Sequence, residues 1–393
     1  MTKRSYGDGG IDQRGENSFR LRYRIGKQRY SVTFQGTLAE AKKKLRELLR
    51  SGDTGEHVAP DKATLAGWAE QWIAIGCPGR SRQAVGNRSR ERYGQILRMH
   101  ILPTLGDFKL QDITGIEIDK LYAGLEGKIA PRSARQVHSV LGALLATALR
   151  TKKIAVNPMN HITKTPSAGE SDHGVALDDE QLRKLVQGFK GNQIYGIVSV
   201  AAFTGMRRNE ILALRWSDLD AAKKTLRIER ALEETKQHGI RFKGPKRESH
   251  KRTITIDDDL LALLLAERDK HLRLIAGVPE GVAVDLGLVR LPGGALMFPN
   301  LLVDLTTPRF TRQTSTIFTR KARQLGFSGL RFHDLRGTHE TLLLDNGVPV
   351  HVVAARCGHD PATLLRSYAK RTRKADTSAA GVIGSISKGI LGS

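Results

Sequence analysis

Strict alternation is the first order visible in the chain. Phe19, Leu21, Tyr23 and Ile25 interleave with Arg20, Arg22 and Arg24, and a strand turns successive side chains to opposite faces. The spacing predicts a strand with one apolar face and one face of arginines. Gly26-Lys27 supplies a turn, and Tyr30, Val32 and Phe34 repeat the alternation on a second strand. Thr37 then stands as an N-cap before Leu38, Ala41, Leu45, Leu48 and Leu49, whose spacing is helical. Residues 1–57 therefore read as a small β-sheet with one helix behind it.

Gly52 to Lys62 (GDTGEHVAPDK) breaks the pattern and reads as a linker. Residues 63–160 read as mostly helical, with one stripe from Leu65, Trp68, Ala69, Trp72 and Ile73 and another from Val137, Leu141, Leu144, Leu145 and Ala148. Thr163 to Val175 (TKTPSAGESDHGV) is a second polar linker, and from Ala176 onward the chain reads as mainly helical with a few strands. The apolar runs Ile194–Phe203 and Leu260–Ala266 are predicted to be buried helices, since both fall short of the roughly 20 residues that a membrane span needs. The opening MTKRSYGDGGIDQRGENSF has no apolar stretch of the signal-peptide kind. Asp178-Asp179-Glu180 and Asp257-Asp258-Asp259 stand just before helical patterns, where capping and the helix dipole favour acids, so they are read as helix starts and not as metal ligands. The predicted fold class is multidomain and mainly α, with the small β-sheet and helix at the front and a mixed, mainly-α third segment that holds a small sheet.

Charge narrows the function. The 393 residues carry 64 Lys+Arg against 40 Asp+Glu, a formal net charge of +24, which draws polyanions and above all nucleic acid. Residues 1–57 hold 13 basic and 7 acidic residues, so the arginine face could lie in a DNA groove. Between Gly79 and Arg98 lie Arg80, Arg82, Arg88, Arg90, Arg92 and Arg98 with Glu91 as the single acid, a balance that favours phosphate contact. Lys152 and Lys153 add a basic cluster after the second stripe. Cys77 and Cys357 form no C-x-x-C pair, so neither a zinc site nor a disulfide framework is indicated, and a reducing, cytoplasmic setting suits the chain. No phosphate-loop motif and no G-x-S-x-G occurs, and His339-Glu340 lacks the second histidine of H-E-x-x-H.

Four stretches of the third segment carry candidate chemistry. Thr204-Gly205-Met206-Arg207-Arg208-Asn209-Glu210 joins one apolar helix to a second predicted at Ile211-Leu212-Ala213-Leu214. Pro245-Lys246-Arg247-Glu248-Ser249-His250-Lys251-Arg252 precedes the β-branched run Thr253 to Ile256 and reads as a strand or hairpin with a basic tip. His333-Asp334-Leu335-Arg336-Gly337-Thr338-His339 puts His333 and Arg336 at i and i+3 on one helix face. Cys357-Gly358-His359-Asp360-Pro361 leads to Tyr368, with Asp360 as N-cap and Pro361 opening its helix. In this order and at these separations the four stretches resemble the tyrosine recombinases, and in particular the phage-type integrases.

The resemblance implies a catalytic set of Arg207, Lys246, His333 with Arg336, His359 and the nucleophile Tyr368, with Glu210 as a supporting partner of Arg207. It covers the whole chain: residues 1–57 look like an arm-binding domain, 63–160 like the helical core-binding domain that includes His100-Ile101-Leu102-Pro103-Thr104-Leu105-Gly106, and 176–393 like the catalytic domain with its C-terminal tail. The sequence departs from the family at Cys357, where leucine is common before Gly-His, and at Arg247, where threonine is common after the lysine. The chemistry agrees with the residue types. Cutting and rejoining without an energy source keeps bond energy in a covalent phosphotyrosine. Arg207 and Arg336 suit the charge that develops on the non-bridging oxygens. His333 is the expected proton partner of Tyr368, Lys246 the acid that protonates the departing 5′-oxygen, and His359 a hydrogen-bond donor to the phosphate. With arginines neutralising the charge, no metal or other cofactor is expected.

Double-stranded DNA, at core and arm sites, is the expected partner. The resemblance further implies a homotetramer on DNA, a C-terminal segment (Val382, Ile383, Ile386, Ile390, Leu391) packed on a neighbouring subunit, a host DNA-bending protein, an excisionase and a bacterial host. No membrane is involved. Two other readings stay open at this point: a type IB-like topoisomerase, and a catalytically silent DNA-binding regulator.

Overall fold

The structure is a computed structural model that describes residues 9–53, 57–79, 81–169, 174–244 and 251–368. The chain divides into two compact units, Met1–Ser171 and Asp172–Ser393.

The first unit opens with an antiparallel sheet of β1 (Gly10–Gly15), β2 (Ser18–Ile25) and β3 (Gln28–Gln35), in that order. β2 and β3 are the alternating strands, and their ladder sets Phe19 opposite Phe34, Leu21 opposite Val32 and Tyr23 opposite Tyr30. β1 was not foreseen, because GIDQRG holds one large apolar residue and no alternation; its place comes from backbone pairing with β2. α1 (Leu38–Asp53) lays Ala41 and Leu45 on Phe19, Leu21 and Tyr23, which leaves Arg20, Arg22 and Arg24 on the exposed face. The expected Thr37 cap is made: Glu40 Oε2 accepts from the Thr37 backbone N–H at 2.8 Å, and the Glu40 N–H donates back to Thr37 Oγ1 at 3.3 Å. The linker starts later than expected. α1 continues through Gly52 and Asp53 because Gly52 is where the helix crosses β2: a Cβ there would lie 2.8 Å from the Ile25 side chain.

The rest of this unit is helical: α2 (Leu65–Ala74), α3 (Asn87–Ile96), α4 (Leu102–Leu105), α5 (Gly115–Leu125) and α6 (Pro131–Arg150), with a π-helical turn at Leu97–Ile101 joining α3 to α4. Both predicted stripes meet in one core. Trp68 and Trp72 are buried with their ring N–H groups satisfied, donating to Leu144 O at 3.3 Å and Pro78 O at 3.1 Å.

The second unit begins with α7 (Asp179–Gly188), capped as expected by Asp178, and α8 (Tyr195–Thr204), buried along almost its whole length. After α9 (Arg208–Ile211) come β4 (Leu219–Asp220), β5 (Thr225–Ile228), β6 (Ala231–Thr235), β7 (Gly239–Lys243) and β8 (Arg252–Thr255). They form a three-stranded sheet, β4-β5-β8, and a β6-β7 pair. Four long or site-bearing helices follow: α10 (Asp258–Ala276), capped by Asp257, then α11 (Thr311–Gln324), α12 (Asp334–Asp345) and α13 (Val350–Cys357); α14 (Pro361–Tyr368) is the last among the described residues.

Three expectations are corrected here. The helix predicted at Ile211 to Leu214 is only the single turn α9; the four residues are all buried and the chain straightens, so that Leu214 O accepts from Met297 N–H at 2.9 Å. The basic stretch before Thr253 does not join two strands of one hairpin, because β7 pairs with β6 while β8 pairs with β5; its tip, Pro245 to His250, lies outside the described residues. Finally, the run Leu260–Ala266 belongs to a one-sided helix: Leu260 and Leu264 are buried while Leu265 is exposed. Among the described residues no helix is long and apolar enough to cross a membrane.

Candidate active site

Two glycines that end helices build the centre of the second unit. Gly205 closes α8 with φ +65°, and a Cβ there would lie 2.7 Å from His339 Cδ2 and 3.0 Å from Cys357 Sγ. Only glycine lets this turn press against α12 and α13. Gly358 closes α13 with φ +66°, where a Cβ would lie 3.0 Å from Arg252 Nη1. Each turn presents a carbonyl to an arginine of a different stretch. Arg336 Nη1 donates to Gly205 O at 2.8 Å, and Arg207 Nη2 donates to Gly358 O at 3.0 Å. Stretches 131 and 151 residues apart in sequence are thus cross-braced, and Arg207, Arg336 and His359 are brought into one cluster.

Two buried carboxylates hold the cluster. Glu210, the expected partner of Arg207, accepts from Arg207 Nη1 at 2.9 Å and from Arg252 Nη2 at 2.8 Å. Burial alone would raise its pKa, but the Arg252 hydrogen bond and charge, helped by Arg207, win and bring it down to about 2. Glu340 was noticed in the sequence only as half of an incomplete metal motif. Its Oε1 lies 3.1 Å from Arg336 Nε and 3.0 Å from His359 Nδ1. The signal that could have found it is its place one helical turn after Arg336. Arg252 and Arg356 were also missed: Arg252 Nε donates to Arg356 O at 2.9 Å, and Arg356 ties α13 to Thr255 O and Phe203 O. Neither fits a catalytic motif, so spacing gave no warning.

Arg336 is 2% exposed. Its Nε, at ion-pair distance from Glu340, and its Nη2 make no hydrogen bond among the described residues, and burial, followed by the Arg207 charge, lowers its pKa from the ordinary arginine value. A desolvated donor left open in this way suits an anion that arrives with substrate. His333 stands at the N-cap of α12 with its surface open to solvent. Its pKa is lowered by desolvation on its protein side and then by Arg336, which favours the neutral ring that can take a proton.

His339 is a structural histidine. Arg356 Nε donates to its Nε2 at 3.2 Å, so the proton sits on Nδ1, which faces Ala202 O at 3.0 Å. Burial first, then Arg356, pushes its pKa down to about 4. A folded pKa below the unfolded value near 6.5 means that the unfolded chain takes up the proton first. The stability from neutral His339 is therefore complete above pH 6.5 and is lost as pH falls toward 4, on the order of 3 kcal/mol in full. Urea unfolding at pH 7.5, 6 and 5 should show this decline, and His339→Gln should flatten it. A wild-type midpoint that holds steady down to pH 5 would contradict the burial of a neutral ring.

Tyr368 ends α14, whose start carries the expected cap: Asp360 Oδ1 accepts from Ala362 N–H at 3.0 Å. The Tyr368 hydroxyl donates to Asp345 Oδ1 at 2.8 Å, at the C-terminal end of α12. Lys246 and the tail from residue 369 lie outside the described residues, as does Arg80. Of the expected DNA contacts in the first unit, Arg20, Arg22, Arg24, Arg88, Arg92 and Lys152 are exposed and Arg90 is half-buried. Arg22 pairs with Asp12 at 2.8 Å and Lys153 with Asp61 at 3.2 Å, so these two are engaged within the protein.

Residues 176–374 match the phage integrase family, and residues 79–125 match its N-terminal SAM-like domain. An integrase from Streptomyces ambofaciens is 29% identical over 54% of this chain and 55% of its own length. An integrase of Mycobacterium phage FRAT1 is 25% identical over 79% of this chain and 84% of its own. The fold is similar to the Tn1549 transposon integrase in complex with circular intermediate DNA, with a TM-score of 0.62 at 17% identity over 82% of this chain and all of that one. It is also similar to a lambda integrase tetramer bound to a Holliday junction, with a TM-score of 0.55 at 16% identity over 92% and 96% of the two chains.

Proposed function

This chain belongs to the phage integrase family and is a tyrosine-type site-specific DNA recombinase, and from that premise we propose that Tyr368 attacks a DNA phosphodiester held by Arg207, Arg336 and His359. The observation that carries this reading is the buried Arg336, whose open Nη2 lies in the cross-braced cluster with Arg207 and His359. Two guanidiniums provide planar donors for the non-bridging oxygens where charge develops. The Tyr368 oxygen bonds to phosphorus, the 5′-oxygen leaves, and a 3′-phosphotyrosine forms. His333 takes the phenol proton and Lys246 gives one to the 5′-oxygen. Attack of a 5′-hydroxyl on the phosphotyrosine then reseals a strand and frees Tyr368.

The division of labour follows the segments. Residues 1–57 read the arm sites through Arg20, Arg22 and Arg24; residues 63–160 hold the core site through Arg88, Arg90, Arg92, Lys152 and Lys153; residues 176–393 cut. The assembly is a homotetramer on two DNA sites passing through a four-way junction, supported by the likeness to the lambda integrase tetramer. A host DNA-bending protein and an excisionase set its direction, in the cytoplasm of a bacterial host.

The test is to incubate the protein in EDTA with nicked fragments of the DNA that flanks its gene and to run a denaturing gel. A protein-linked 3′ end at one position supports the reading. Tight binding with no adduct on any fragment would replace it with a silent regulator. Relaxation of a plasmid that lacks every flanking site would point to a topoisomerase.

A further inference from the structure

The cluster contains one acid that the proposed chemistry does not use. Glu340 is 2% exposed and sits on α12 one turn beyond Arg336. A single oxygen of it, Oε1, faces both Arg336 Nε at 3.1 Å and His359 Nδ1 at 3.0 Å. Burying a carboxylate costs more than burying an apolar side chain of the same size unless its partners need it, so packing gives no reason for an acid here. The partners are two groups assigned to the same phosphate, one from α12 and one from the turn after α13.

We infer that Glu340 is a positioning residue that locks Arg336 and His359 together as one phosphate-binding unit; the inference rests on the function proposed above. A carboxylate oxygen only accepts, so His359 must meet it with an N–H on Nδ1, and donating to a phosphate oxygen as well requires an N–H on Nε2. Arg336 is held by the Nη1 hydrogen bond to Gly205 O and by the ion pair of its Nε edge with Glu340; neither Nε nor Nη2 makes a hydrogen bond among the described residues, and Nη2, the one not facing the carboxylate, is the donor left for the substrate. The buried charges also come closer to balance. Arg207 and Arg252 share Glu210, while Arg336 and His359 share Glu340, so the site can fold before DNA supplies its own negative charge.

The test is single-turnover cleavage of a nicked core substrate by the full chain, with rate constant and amplitude read separately. A folding defect lowers the amplitude, whereas misplaced donors lower the rate constant. Glu340→Gln keeps the shape and removes the charge, and its rate constant should fall about 10- to 100-fold, less than for outright loss of a transition-state donor. In a His359→Ala background the same substitution should cost less than in the wild type, because only the part acting through Arg336 remains and coupled residues are not additive. Equal loss in both backgrounds, or loss of amplitude alone, would overturn the inference. If Glu340→Gln does not fold, Glu340→Asp decides: its shorter reach should bring the rate constant down to that of His359→Ala, and a wild-type rate would overturn the inference. Failure here is distinct from failure of the proposed function, since the latter would leave the wild type without any adduct.

Discussion

Tyr368→Phe is expected to abolish the covalent protein–DNA adduct while leaving DNA affinity within about twofold of wild type. The substitution removes one oxygen. In the free protein that oxygen donates to Asp345 Oδ1 at 2.8 Å, on a half-buried side chain at the end of α14, a bond worth about 1 kcal/mol or less. The fold therefore has little to lose. On the proposed mechanism chemistry loses its nucleophile, and no other group proposed for the site replaces a phenol oxygen that can carry a phosphoryl group and release it again. The expected fall in cleavage is roughly 10⁴-fold or more, as for nucleophiles in other covalent enzymes. A denaturing gel reads the adduct and a gel shift reads the affinity. An adduct that persists in Tyr368→Phe would mean that another residue is the nucleophile. The Asp345 bond adds a condition to the proposed mechanism: the hydroxyl exchanges that carboxylate for the phosphate before it reacts.

The elements that carry most of these candidate residues could be read from spacing, for a physical reason. Tyr368, His333 and Arg336 lie on local elements, where a cap or a helical turn fixes relative position; Asp360 and Pro361 announce α14, and the i, i+3 relation ties His333 to Arg336. The alternation of β2 and β3 and the stripes of α2 and α6 were legible in the same way, because each turns one face to a core. What stayed hidden depends on distant contacts. Arg252 and Arg356 matter through partners up to 153 residues away, and local patterns carry no trace of these; Glu340 had a local signal, one helical turn after Arg336, but fits no catalytic motif. β1 was missed because backbone pairing with β2, not side-chain alternation, makes it a strand. The turn at Ile211 to Leu214 was misread because four buried apolar residues look alike in a helix or a straightened segment.

Arg336→Ala should lose both activity and stability, and the two losses can be separated. Cleavage should fall at least about 10²- to 10³-fold, the usual effect of removing one donor from a developing anion. Stability should fall by roughly 3–5 kcal/mol, because the change takes the arginine partner from the buried Glu340 carboxylate and leaves Gly205 O without its Arg336 donor. Adding Glu340→Gln to Arg336→Ala removes the stranded charge, so the double variant should regain a large part of the stability, read by urea unfolding, and none of the activity. Arg336→Lys makes the complementary point. It keeps the positive charge, but a point-like ammonium cannot bond Gly205 O, Glu340 and a phosphate oxygen in the fixed fork of a guanidinium. Its stability should therefore lie above that of Arg336→Ala, while its cleavage rate stays at least about 100-fold below wild type. A lysine variant that cuts at the wild-type rate would show that charge alone suffices and that the fork, with the braces from Gly205 and Glu340, is not what the chemistry uses. A double variant no more stable than Arg336→Ala would show that the lost stability lies in packing around the guanidinium and not in the charge it leaves behind.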